Sequence, residues 1–121
     1  MGKFTFRLKD RMKLTVEKVS PRVCLFIVSG KHTHTFRITS KRAKELVKVF
    51  TDVSTFGYED MRVDLTGSDD TKNGVLHFGD MQNGDYHLLV FSDTKKILDT
   101  TFNKKFLKKM YRTMKEVYEI E

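Results

Sequence analysis

The feature of this sequence that most constrains its fold is a strand–turn–strand–helix pattern that occurs twice. In residues 22–50, a dense apolar stretch leads into a Ser-Gly turn, a returning stretch and a helical pattern. Moving this window by 64 residues, to 86–114, brings residues of similar type together: Leu25 with Leu89, Ile27 with Phe91, Ile38 with Phe102, and Phe50 with Met114. Since type is kept and identity is not, the pattern predicts two copies of one sheet-plus-helix unit.

Alternation of apolar and polar residues predicts the other strands of the first copy. Residues 3–9 and 12–18 each place apolar side chains on one face and polar ones on the other, which are Lys, Arg and Thr in the first stretch and Lys13, Thr15 and Glu17 in the second. Residues 22–28 are apolar on both faces, which is typical of a central strand. Residues 32–38 return, and Thr39 is the predicted N-cap of a helix that ends near residues 52–53.

The second copy has the same order of elements. We predict strands at 61–65, 75–78, 86–91 and 96–102, and a helix that starts after Asn103 and runs to about Tyr118. Polar segments at 67–74 and 79–84 both end in Asn-Gly, a strong hairpin-turn signal. The sequence therefore predicts one α+β domain, 1–121. It contains two ββββα repeats, about 3–53 and about 61–118, each an antiparallel sheet followed by a helix, packed pseudo-symmetrically.

The positive charge is concentrated in one half of the chain. The net charge is +7. Residues 1–60 hold 13 Lys/Arg against 6 Asp/Glu, and residues 61–121 hold 10 of each, so the excess of 7 lies in the first repeat. A basic protein with clustered cations is typical of a binder of polyanions, although a solvated surface is the ordinary alternative.

Cysteine usage and hydropathy bear on the compartment. The one cysteine, Cys24, excludes an internal disulfide, so we expect a reducing, intracellular location, cytoplasmic or nuclear. No apolar run approaches the roughly 18 residues that cross a bilayer, and the first residues lack the apolar block of a signal peptide. We therefore expect no integral membrane contact.

The candidate binding residues are cations that alternation places on the outer face of the first sheet, with threonines between them. Such a surface can follow phosphates, and proteins that read single strands on a sheet add aromatic platforms. Phe26 and Tyr58 are the candidate platforms, and the alternative for Phe26 is a place in the core. The predicted nucleic-acid-binding residues are Lys3, Arg7, Lys9, Lys13, Phe26, Arg37 and Tyr58.

No arrangement of residues points to catalysis or to a bound metal. His32 and His34 share one strand face, but no third ligand is linked to them by spacing. Cys24 lies in mid-strand without an evident base, and the Asp69-Asp70 loop lacks both calcium-loop and phosphate-loop spacing. We expect no enzyme activity, no cofactor and no metal.

The order and length of the elements, with their basic character, resemble the single-strand nucleic-acid binders of the Whirly, Pur and positive-cofactor-four group. The resemblance covers nearly all of residues 3–118, and the KGNALA motif of Whirly proteins is absent. It implies curved antiparallel sheets, each followed by one helix, paired into a pseudo-symmetric body. It also implies binding of single strands, but it assigns no individual residue.

The predicted function is largely sequence-independent binding of single-stranded nucleic acid, most simply DNA, with RNA as the other candidate, in replication, transcription or repair. A homodimer or higher oligomer is compatible with it. One alternative is a module for anionic membranes, since residues 85–107 faintly resemble the last strands of a C2-type β-sandwich. The other is a protein-interaction module, in which an uncovered face of the central strands is buried between subunits: Cys24, Phe26, Val28, Tyr86, Leu88 and Val90.

Overall fold

The structure, a computed structural model, describes residues 2–66 and 73–120. Most of the predicted polar loop at 67–74, including Asp69 and Asp70, lies outside the described residues. The first repeat contains β1 Lys3–Arg7, β2 Lys13–Ser20, β3 Val23–Ser29, β4 Thr33–Thr39 and α1 Ser40–Phe56. The second contains β5 Met61–Asp64, β6 Gly74–Asp80, β7 Asp85–Ser92, β8 Lys95–Asn103 and α2 Lys104–Val117.

The predicted fold class is confirmed. Each repeat forms a four-stranded antiparallel sheet with its strands in sequence order, β1-β2-β3-β4 and β5-β6-β7-β8, and a helix follows each sheet. Within each sheet every strand pairs with its neighbour in the chain, and links of two to five residues join all of these pairs except β5–β6, whose link spans 65–73.

Both helices begin at the predicted N-caps. The Thr39 side chain accepts a hydrogen bond from the backbone N–H of Arg42 at 3.0 Å, and Asn103 accepts one from Phe106 at 2.9 Å. These caps satisfy a backbone donor in the first turn, where the helix supplies no acceptor. Helix α1 ends at Phe56, three or four residues beyond the predicted end, because Gly57 adopts a left-handed φ of 71° that closes the helix.

The 64-residue shift holds at the helix caps, but it is two residues too long for the central strand. Cys24 pairs with Ile38 in the first sheet, and Tyr86 pairs with Phe102 in the second. Ile38 and Phe102 differ by 64, whereas Cys24 and Tyr86 differ by 62. The β7–β8 hairpin is shorter, with two turn residues at positive φ, and it contains a register irregularity near Phe91. Because the difference is even, equivalent positions of β3 and β7 still lie on equivalent faces of the two sheets.

The two helices pack across the repeats as well as within them. Helix α1 contacts β5 and β6 of the second sheet, and α2 contacts β1 and β2 of the first, in addition to strands of their own repeats and to each other. Residues of both sheets and both helices form a single buried cluster. In it the Phe50 ring of α1 meets the Phe78 ring of β6 edge-on, with centroids 4.6 Å apart. Each helix thus packs on the sheet of the other repeat, and this exchange gives the pseudo-symmetric packing of the two repeats.

The C-terminal end of α2 is anchored to the first sheet by buried polar groups. The Tyr118 hydroxyl donates to the Leu25 carbonyl at 2.8 Å, and the Lys18 Nζ donates to the Tyr118 carbonyl at 3.1 Å. Burial raises the pKa of the Tyr118 phenol well above its usual value. These bonds join the two repeats at a distance of about a hundred residues along the chain.

The predicted orientation of the central strands is wrong. Phe26 is 0% exposed, together with Cys24 and Val28, and β7 likewise buries Tyr86, Leu88 and Val90. The reason is the register: Phe26 lies between Val16 of β2 and Phe36 of β4, both of which face the core. The half-buried outer positions of these strands are instead Leu25, Ile27, Leu89 and Phe91.

None of the helices in the described parts of the chain has the length and apolarity needed to cross a bilayer.

Candidate nucleic-acid interface

The outer face of the first sheet carries a frame of four cations, which we call the basic face. Its rows across the four strands are Lys3–Glu17–Leu25–Arg37, then Thr5–Thr15–Ile27–Thr35, then Arg7–Lys13–Ser29–Thr33. Four strands at about 4.8 Å spacing, and a distance of about 13 Å between the first and third rows, define a patch of about 14 by 13 Å. The four cations lie on the outer face, as predicted. Three of them are at its corners and Lys13 is beside Arg7, with hydroxyls and aliphatic groups at the centre.

The cations of this face are not neutralised by neighbouring carboxylates. Within the described residues, Lys3, Arg7, Lys13 and Arg37 take part in none of the salt bridges. Glu17 is the one acid in the three rows, and it leaves them with a net charge of +3. The central Thr5 and Thr15 hydroxyls share a hydrogen bond of 2.9 Å. Such a surface attracts a polyanion and offers hydroxyl groups to it.

On the corresponding face of the second sheet, several basic groups are paired with carboxylates. His87 and Lys96 lie 2.7 Å and 3.0 Å from the Asp99 carboxylate, and His77 lies 3.1 Å from Asp60. The hydrogen bond from His87, followed by that from Lys96, lowers the pKa of Asp99. Because three of its basic groups already have acidic partners, this face offers fewer unpaired cations to phosphates than the basic face does.

Two of the predicted site residues lie away from the basic face. Lys9 is in the Lys9–Arg11 turn after β1, where its Nζ donates to Thr101 Oγ1 of β8 at 2.6 Å. Tyr58 is 45% exposed and packs against Phe56 at 5.6 Å, but its carbonyl accepts from the Asp80 N–H of the second sheet. The structure does not bring Tyr58 to the cations of the first sheet.

Phe26 is not an aromatic platform. Its ring lies in the core on the face opposite the cations, so no base can reach it. The exposed aromatic of the first sheet is Phe4, which is 36% exposed near the end of the edge strand β1. The Lys109 Nζ of α2 lies 5.9 Å from the Phe4 ring centroid, within cation–π range. Period two placed Phe4 with the core residues, and its exposure comes from its position at the sheet edge.

Helix α2 adds a second basic surface, the α2 patch, beside β1. Within Lys104–Val117 there are six cations against one acid, Glu116, and no described residue forms a salt bridge with these cations. They are Lys104, Lys105, Lys108, Lys109, Arg112 and Lys115. The sequence shows this charge but not its neighbour, because contact between α2 and β1 depends on long-range packing.

Cys24 and the metal-ligating side chains are the other reactive groups that the sequence singled out. Cys24 is buried, and burial raises the pKa of its thiol, so the reactive thiolate is disfavoured. The described residues contain no cluster of three His, Cys, Asp or Glu side chains suited to a metal ion.

No protein-family model, no curated protein and no solved structure matches this chain. The resemblance to the Whirly, Pur and positive-cofactor-four group therefore stays a prediction from element order.

Proposed function

We propose that this protein binds single-stranded nucleic acid on the basic face, largely independently of sequence. The observation that carries the proposal is the contrast between the two sheets. The outer rows of the first sheet have a net charge of +3 with no salt-bridged cation among the described residues, whereas the second sheet pairs His77, His87 and Lys96 with carboxylates. Two sheets of one fold thus differ in the property that governs affinity for phosphates.

The shape and chemistry of the basic face suit a single strand. Half-buried Leu25 and Ile27 at its centre offer apolar contact to unstacked bases, and the surrounding cations can pair with phosphates on either side. Aliphatic and hydroxyl groups distinguish the four bases poorly, so weak sequence preference is expected. Phe4, beneath Lys109, supplies an aromatic at the border between the basic face and the α2 patch.

Action on single strands within the cell, in replication, transcription or repair, belongs to the same proposal, with DNA as the first ligand to test. Self-association is compatible with it and is measured by light scattering on the same samples. For α2, membrane binding would depend on charge, since Leu107, Met110 and Met114 of this helix are fully buried.

A titration of fluorescent oligo-dT, oligo-U and duplex DNA at two ionic strengths tests the proposal. We expect the single strands to bind more tightly than the duplex, with an affinity that falls as salt rises. Vesicles of phosphatidylserine and phosphatidylcholine form a further arm. Vesicle binding without oligonucleotide binding, or oligonucleotide affinity that does not respond to salt, would refute the proposed function.

A further inference from the structure

A cleft lies where the end of β1 meets β8 and the start of α2. Its volume is about 360 Å³, within the range of small-ligand pockets. Arg7 of the basic face lines one side, and Asn103, the N-cap of α2, lines another. The cleft is therefore continuous with the proposed strand-binding surface, and it combines side chains of both repeats.

The wall of this cleft contains one buried hydroxyl that has no hydrogen-bond partner among the described residues. Thr100 is 4% exposed, and its Oγ1 is the one buried side-chain polar atom without a hydrogen-bond partner among the described residues. It occupies an inward position of β8 between Leu98 and Phe102, where an apolar residue of the same shape would fit. Because a buried hydroxyl without a partner is costly, a ligand group that reaches Thr100 and forms a hydrogen bond with it would be favoured.

Positive groups converge on the same cleft. Lys9 lines it, and its hydrogen bond to Thr101 fixes the ammonium group at the wall. Neither Arg7 nor Lys9 forms a salt bridge with a described residue. The 14-residue helix α2 begins at this point, and the N-terminus of a helix favours an anion. These groups suit a phosphate.

The rest of the wall suits a base. Phe106 is half-buried, with its ring centroid 5.0 Å from that of Phe102, and it gives the cleft an aromatic side. Asp85 adds a carboxylate. A carboxylate repels a free phosphate but accepts hydrogen bonds from the N–H groups that every nucleobase carries. A simple anion in the cleft would therefore be repelled by the Asp85 carboxylate.

We propose that the cleft binds one nucleotide, with its phosphate at Arg7 and Lys9, its base against Phe106, and Asp85 and Thr100 as hydrogen-bonding partners. This proposal rests on the proposed function in one respect: the nucleotide is an unstacked or terminal unit of the strand on the basic face. Arg7 belongs to both surfaces and connects them. The cleft would anchor the strand at one end of the sheet.

The test is an NMR titration of the ¹⁵N-labelled full chain with nucleoside 5′-monophosphates, the matching nucleosides, and inorganic phosphate. We expect the monophosphates to shift the amide signals of Thr100, Thr101 and Phe106, with weaker binding of nucleosides and of phosphate. The variant Thr100→Val keeps the shape and should weaken monophosphate binding about three- to tenfold, the effect of one hydrogen bond. Thr55→Val, at an exposed threonine near the end of α1, is the matched control and should leave it unchanged.

The outcomes separate this inference from the proposed function. If oligo-dT binds but monophosphates at millimolar concentration leave the cleft signals unmoved, the cleft proposal is wrong and the proposed function stands. If inorganic phosphate binds as tightly as the monophosphates, the site recognises only an anion and the nucleotide assignment is overturned. If monophosphates bind at the cleft and no oligonucleotide binds, the nucleotide site is supported and strand binding is refuted. The amide spectrum of each variant reports folding in the same experiment.

Discussion

The salt dependence of binding gives the sharpest test of the basic face, because its size follows from the number of cations. For a single strand, the slope of log affinity against log salt concentration becomes more negative by about 0.7 for each phosphate that is neutralised. Four cations therefore predict a slope of about −2.8. Removing two of them with Arg7→Ala/Lys13→Ala predicts a slope of about −1.4. Between 50 and 200 mM salt, affinity should then fall about 50-fold for the unmodified protein and about 7-fold for the variant.

The same arithmetic fixes the loss at each salt concentration. The double variant should bind about 60-fold more weakly at 50 mM salt and about 10-fold more weakly at 200 mM, with the two curves converging toward 1 M. The matched control is Arg62→Ala/Lys95→Ala, which removes two exposed cations from the second sheet and gives the same net charge. Fluorescence anisotropy with oligo-dT measures all three proteins, and thermal unfolding confirms that they are folded. Equal slopes for the two variants would show that net charge, and not the basic face, governs binding, and would refute the reasoning.

Three further predictions concern the fold that presents this face. Tyr118→Phe should cost about 1 kcal/mol at neutral pH, because the Leu25 carbonyl loses its donor. Burial raises the pKa of Tyr118, so its stabilising effect is complete below about pH 10 and is lost as pH rises through the folded pKa; urea unfolding at pH 7 and pH 11 should show a smaller alkaline loss in the variant. Gly79→Ala drives a methyl group into the Glu59 carbonyl and should destabilise by about 3 kcal/mol, and an unchanged melting temperature would contradict this contact. Because Phe26 is buried, Phe26→Leu should lower the melting temperature but leave the oligo-dT affinity of the folded protein unchanged. Weaker binding by the folded variant would indicate that Phe26 does contact the nucleic acid.

Local chemistry made much of the fold readable from the sequence. Both N-caps were correct, because Thr39 and Asn103 each accept a hydrogen bond from a donor three residues away. The end of α1 was placed too early, and the overlooked signal was Gly57, whose left-handed backbone stops the helix. The basic face could be predicted because β1 and β2 alternate clearly and carry three of its four cations on their polar sides, and Arg37 lies on β4.

The central strand shows where this reasoning fails. Residues 22–28 are apolar on both sides, so period two alone does not tell which side faces the core. The hairpin register does, because it places Phe26 between the inward Val16 and Phe36. The α2 patch and the cleft at Thr100 could not be predicted, since both depend on which strands α2 meets in three dimensions.

The crossed placement of the helices has a consequence for how the molecule holds together. Each half of the chain lends its helix to strands of the other half, so neither half contains all the partners that its apolar surfaces require. The arrangement is that of two subunits that exchange helices and are joined by the short link after Gly57. If the chain were cleaved at that link, the two fragments should remain bound as a heterodimer, and each fragment alone should aggregate or unfold.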